Sequence, residues 1–153
     1  MLSYGQLDAI ADASNPAMGV ACLLRLCWLL SKRRWRDAAW MIVVFPGALV
    51  VAYGWERIDL HFGLWPGIGL DYSTHTAVAV AAGGVLWMFW ASARIAWAFW
   101  LLAYAALMLW QRYHTVGDIL TTALVVAFCL TPLLCLPAVR TVARLERPSP
   151  AAP

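Results

Sequence analysis

Two short stretches of this 153-residue chain group side chains able to do chemistry together: Asp71-Tyr72-Ser73-Thr74-His75-Thr76 and Arg112-Tyr113-His114-Thr115-Val116-Gly117-Asp118. His114 and Asp118 are four apart, a spacing that puts two side chains on one helix face. A carboxylate beside an imidazole holds its tautomer and stabilises its charged form, the arrangement that a nucleophilic or general-base histidine needs. His75 follows Ser73 and Thr74 and precedes Thr76, so hydroxyl donors surround it. Arg112 adds a planar cation suited to phosphate. Each group also has a plainer reading: Ser73, Thr74 and Asp118 as helix caps, Arg112 as an anchor to lipid headgroups, and an interfacial histidine as a solvated or capping residue.

The elements that must position these groups are set by hydropathy. The chain is 63% hydrophobic and 12% charged, whereas soluble domains are about half apolar and a quarter charged. So short a chain has too little interior to hide that much apolar surface, so the excess faces lipid. The expected fold is an all-α, polytopic transmembrane bundle in one membrane domain spanning residues 1–153, with a polar N-terminal segment at 1–15, the bundle at 16–137, and a cytoplasmic, partly disordered tail at 138–153. Five apolar stretches, near 16–31, 38–54, 74–91, 95–110 and 118–137, are candidate spans. Asn15 and Pro16 read as the cap and first residue of the first helix, Pro46 and Pro132 as kinks, and Gly83-Gly84 as a point of close helix contact.

Basic residues orient the bundle. Lys32, Arg33, Arg34 and Arg36 follow the first span, Arg94 follows the third, and Arg140, Arg144 and Arg147 follow the fifth. An odd number of spans puts all three groups on one side, the cytoplasm by the positive-inside rule. Arg25, inside the first span, is expected to snorkel to that side. The opposite side then receives all three histidines, with Arg57 and Arg112. The tryptophans read as an aromatic belt, with Trp55, Trp65 and Trp110 at the outer boundary. Cys22, Cys27, Cys129 and Cys135 lie in apolar runs without CxxC spacing and read as small hydrophobes. No basic patch interleaves with aromatics, so nucleic acid is not an expected partner.

The two stretches resemble signatures of the type 2 phosphatidic acid phosphatase superfamily. Ser73-Thr74-His75 resembles its Ser-Gly-His motif, with Thr74 in the glycine position, and His114-Thr-Val-Gly-Asp118 matches its His-x-x-x-Asp. The wording Ser73-Thr74-His75-Thr76 and Arg112-Tyr113-His114 is closest to the sphingomyelin synthase-like branch. The resemblance implies that His114 attacks phosphorus to give a phosphohistidine, that Asp118 orients and activates His114, and that His75 protonates the leaving oxygen. Ser73, Thr74, Thr76, Arg112, Tyr113 and Arg57 would bind substrate. Arg57 lies where the family's first signature is expected, although its Lys and Pro companions are absent. No metal or organic cofactor is implied.

The expected function is therefore an integral-membrane lipid phosphatase or headgroup phosphotransferase, acting on a phospholipid or isoprenoid phosphate at the non-cytoplasmic face. Two alternatives stand beside it. One is a small transporter or accessory subunit using His75, His114 and Asp118 as a proton or substrate site, which predicts those groups in mid-bilayer. The other is a family member that binds phospholipid without turning it over.

Overall fold

The computed structural model describes residues 4–136. It is an all-α bundle of five helices: α1 (Tyr4–Ser31), α2 (Trp35–Phe62), α3 (Thr74–Phe89), α4 (Arg94–Trp110) and α5 (Val116–Leu134), with single 3-10 turns at Pro66–Ile68 and Ala91–Ala93. Four of them, α1, α2, α4 with its preceding turn, and α5, are long and apolar enough to cross a membrane. α3, at 16 residues, is shorter than this. The protein is thus a multi-pass helical bundle suited to a lipid bilayer.

α3 is the centre of the bundle and packs against each of the other four helices. Its composition explains this. Ala77, Ala79, Ala81, Ala82 and Gly83 are buried and let neighbouring backbones come close. A Cβ added at Gly83 would lie 2.9 Å from Leu101 of α4, and one at Gly84 would lie 3.2 Å from Leu134 of α5. The expected close contact at this glycine pair is present. Val85, Leu86 and Phe89 fill the core with Met18, Leu29, Met41, Val44, Val126 and Leu130. The outer faces are apolar instead of polar: Ile95 is 75% exposed and Phe128 80%. In water such faces would be costly; in a bilayer they face lipid.

Sixteen residues of α3 rise about 24 Å, less than the hydrocarbon thickness of about 30 Å. The segment 63–73 before it therefore packs down into the bundle, and Trp65, Tyr72 and Ser73 are buried. Non-helical backbone at such a depth needs partners for its N–H groups, and side chains supply them. Asp59 Oδ1 accepts from Trp65 N (2.8 Å), Asp118 Oδ1 from Asp71 N (2.8 Å), and Thr122 Oγ1 from Ser73 N (3.1 Å). The Tyr72 hydroxyl donates to the Ala52 carbonyl (2.7 Å).

Several expectations from the sequence are corrected. α1 does not begin at Pro16. It starts at Tyr4 and runs through Pro16, so the described part of the polar segment is helical, and the Asn15 side chain donates to the His75 carbonyl (3.2 Å) instead of capping. α2 continues past 54 to Phe62, carrying Glu56, Arg57 and Asp59 as helical residues, and ends at Gly63 in a left-handed cap (φ 62). Arg25 does not snorkel. It is 5% exposed, donates from Nε to the Phe89 carbonyl at the end of α3, and sits 4.1 Å over Trp28. A carbonyl freed at a helix end and an aromatic face together provide a buried alternative to water. Trp55 and Trp65 are packing residues more than belt residues, with indole N–H groups donated to Cys129 Sγ and Thr121 Oγ1. The expected cytoplasmic tail lies outside the described residues.

Candidate active site

The two polar stretches meet at one end of the bundle. His75 occupies the first turn of α3, and His114 lies in the loop between α4 and α5. Tyr113, the neighbour of His114, stacks on His75 with parallel rings (2° between planes, centroids 6.4 Å apart). His75 Nδ1 lies 2.9 Å from the Tyr104 hydroxyl of α4. That hydrogen bond fixes the ring, and its direction depends on the imidazole tautomer. The far nitrogen, Nε2, is thereby left for other partners.

His114 does not share a helical face with Asp118. α5 begins at Val116 with Thr115 as its cap, so His114 precedes the helix. Asp118 is 5% exposed, and its two oxygens are taken by backbone. Oδ2 accepts from Thr115 N (2.7 Å) and Oδ1 from Asp71 N (2.8 Å), while Thr115 Oγ1 accepts from Asp118 N (3.2 Å). This is a reciprocal capping box. It ties the 63–73 segment to the start of α5, where a Cβ on Gly117 would come within 2.8 Å of Leu70. The carboxylate nearest the imidazole is Asp71, with Oδ2 at 3.8 Å from His114 Nδ1. Nδ1 is buried and has no hydrogen-bond partner. Burial lowers the proton affinity of His114 below the ordinary histidine value, opposed in part by the charges of Asp71 and Asp118. Burial thus favours the neutral form of the His114 imidazole.

The hydroxyls expected to bind substrate are engaged elsewhere. Ser73 is buried and caps α3, its Oγ accepting from Thr76 N (3.2 Å) and from Thr76 Oγ1 (2.8 Å). Thr74 Oγ1 donates to Glu56 (2.9 Å). The capping need of a helix start has taken these groups. Arg57 is on the exposed side of α2. Arg112 and Tyr113 belong to the loop beside His75. Arg112 is exposed and left-handed (φ 57). Its N–H donates to Leu109 O and that of Tyr113 to Met108 O, which is a Schellman close of α4, with arginine where glycine is usual.

Sequence reasoning missed Tyr104, Glu56 and the approach of Asp71 to His114. Tyr104 sits in an apolar run without any local signal. The capping box was readable, as Thr115-x-x-Asp118 is its signature. Among the described residues no three His, Cys, Asp or Glu side chains cluster to hold a metal ion. The fold and site define an all-α, multi-pass bundle with a histidine pair at one end. No family model, curated protein or solved structure matches this chain.

Proposed function

We propose that this protein is a membrane-embedded enzyme that cleaves a phosphoester or phosphodiester of a lipid, on the non-cytoplasmic side, through a phosphohistidine. The observation that carries the reading is the stacking of Tyr113, the neighbour of the half-buried His114, on His75 at one end of the bundle. This supports a two-histidine displacement more than a mid-bilayer proton site. The motif resemblance to the type 2 phosphatidic acid phosphatases points the same way.

Neutral imidazole has a lone pair for attack at phosphorus. Asp71 faces Nδ1 of His114, which leaves Nε2 as the nucleophile. As the N–P bond forms, the P–O bond to the leaving alcohol breaks, and protonated His75 delivers its proton to that oxygen. In the second step water attacks the phosphohistidine, His75 takes up the water's proton, and phosphate leaves as the N–P bond breaks. An acceptor lipid hydroxyl in place of water gives headgroup transfer by the same route. Arg112, exposed on the adjoining loop, neutralises charge on the phosphoryl oxygens. Asp118 acts on His114 through its charge and through the loop it anchors, not by a direct hydrogen bond.

The reading is tested by purifying the protein in detergent, supplying labelled phospholipids and isoprenoid phosphates, and following free phosphate and new lipid products together. Wild type should turn over at least one substrate class, with His114→Ala and His75→Ala both deficient. Equal turnover by wild type and both variants on every substrate would sink it.

A further inference from the structure

Between α1 and α4 the bundle leaves a groove of about 380 Å³, walled by Ile10, Ala13, Ala17, Ala103, Tyr104 and Leu107. Its origin is the run of alanines on the facing sides of the two helices, which leaves space that larger side chains would fill. The groove is almost wholly apolar, and its polar groups have partners. Trp100 Nε1 donates to Ser14 Oγ (3.0 Å) at the end farther from the 111–115 loop. The Tyr104 hydroxyl is 2.9 Å from His75 Nδ1. Nothing in the walls offers water a hydrogen-bond network, so an apolar occupant is favoured.

Tyr104 is the shared wall: one face lines the groove and its hydroxyl holds His75. We propose that the groove seats the single apolar chain of a lipid phosphate whose phosphate lies at the histidine pair. This rests on the catalytic reading above and names the part of the substrate that the histidines do not touch. Three observations choose this occupant. The groove borders the His75 contact through Tyr104, which lines it and bonds His75. Its flanks, Ile10 and Trp100, are exposed toward the bilayer, so a chain can enter sideways. Its volume lies at the small end of ligand sites, enough for one chain and not for the paired chains of a glycerolipid.

The test uses the full-length protein in detergent with a long-chain, single-chain lipid phosphate carrying a diazirine near the chain end. The label should fall on the α1 and α4 residues lining the groove. It should be displaced by the same lipid phosphate without diazirine and not by the chain-matched neutral alcohol. Ala103→Phe and, from the opposite wall, Ala13→Phe should each cut labelling about tenfold. They should also lower kcat/KM for the long-chain phosphate relative to a short-chain, water-soluble ester. The proposal is overturned if label spreads evenly over α2 and α5, if the neutral alcohol competes equally, or if both folded variants label as wild type does. Its failure is separable from that of the catalytic reading. Groove labelling without turnover of any phosphate ester overturns catalysis and leaves the lipid site. Turnover with scattered label overturns the groove alone.

Discussion

Burial favours the neutral form of His114, and this has a sign that can be checked. Burial lowers its proton affinity from the ordinary 6.5, so the unfolded chain takes the proton first as pH falls. The stability that neutral His114 contributes is present above that value and is lost below it. For catalysis the same shift puts the acid limb of kcat/KM below 6.5. Asp71 raises the affinity of His114, so Asp71→Asn should move that limb to still lower pH while slowing turnover. The shift should be modest, because Asp71 is 73% exposed on its side chain and its field is screened by water and salt. An acid limb that stays in place or moves upward in Asp71→Asn would remove Asp71 from the site. Arg112 offers a second residue-scale check. Its left-handed backbone disfavours any side chain, so Arg112→Gly should raise the unfolding midpoint, by about 1 kcal/mol of stability, and raise KM for the lipid phosphate. A lower midpoint with unchanged KM would make Arg112 a purely structural charge at the end of α4.

At the scale of elements, α3 and the start of α5 position the site, and Asp118 joins them. Its carboxylate receives N–H groups from both sides of the junction. Asp118→Ala should therefore cost about 1–3 kcal/mol, seen as a lower unfolding midpoint, and should free the 63–73 segment for faster amide exchange at Asp71. Unchanged exchange there would contradict the junction. The junction also shows where sequence reading stopped. Spacing put His114 and Asp118 on one helical face, but a helix must start somewhere. Thr115, able to cap with Asp118 three residues on, starts it after His114. The same competition took Ser73, Thr74 and Thr76 from the expected substrate binding, because Ser73 Oγ accepts from the N–H and hydroxyl of Thr76 while the Thr74 hydroxyl donates to Glu56. Tyr104 was illegible, since its role depends on α4 meeting α3 across Gly83, a contact between elements far apart in sequence.

For the whole molecule, composition was enough for the fold class, since excess apolar surface has to face lipid. It was not enough for the helix ends. α1 and α2 run past their apolar cores, carrying Asp8, Asp12, Glu56 and Arg57 in helical turns, and hydropathy alone stops where charge begins. Pairing of Arg25 with the end of α3 brings the ends of α1 and α3 together, so the basic turn at 32–34 and Arg94 lie at the opposite end from the histidines. The proposed outward facing of the histidine end follows from applying the positive-inside rule to those basic residues. Single cysteines at Arg33 and at Arg112, in a variant lacking the four native cysteines, should react with an impermeant maleimide from opposite sides of sealed vesicles. Labelling of both from one side would contradict the topology.

The central claim is that His114 takes the phosphoryl group, and chemical rescue measures it most directly. His114→Gly leaves a space in which free imidazole can act as the attacking nitrogen. The account predicts that this variant loses turnover of the lipid phosphate, and that added imidazole restores part of it in a concentration-dependent way, with no rescue in His75→Gly of the step that His114 performs. Wild-type turnover by His114→Gly without imidazole would contradict it.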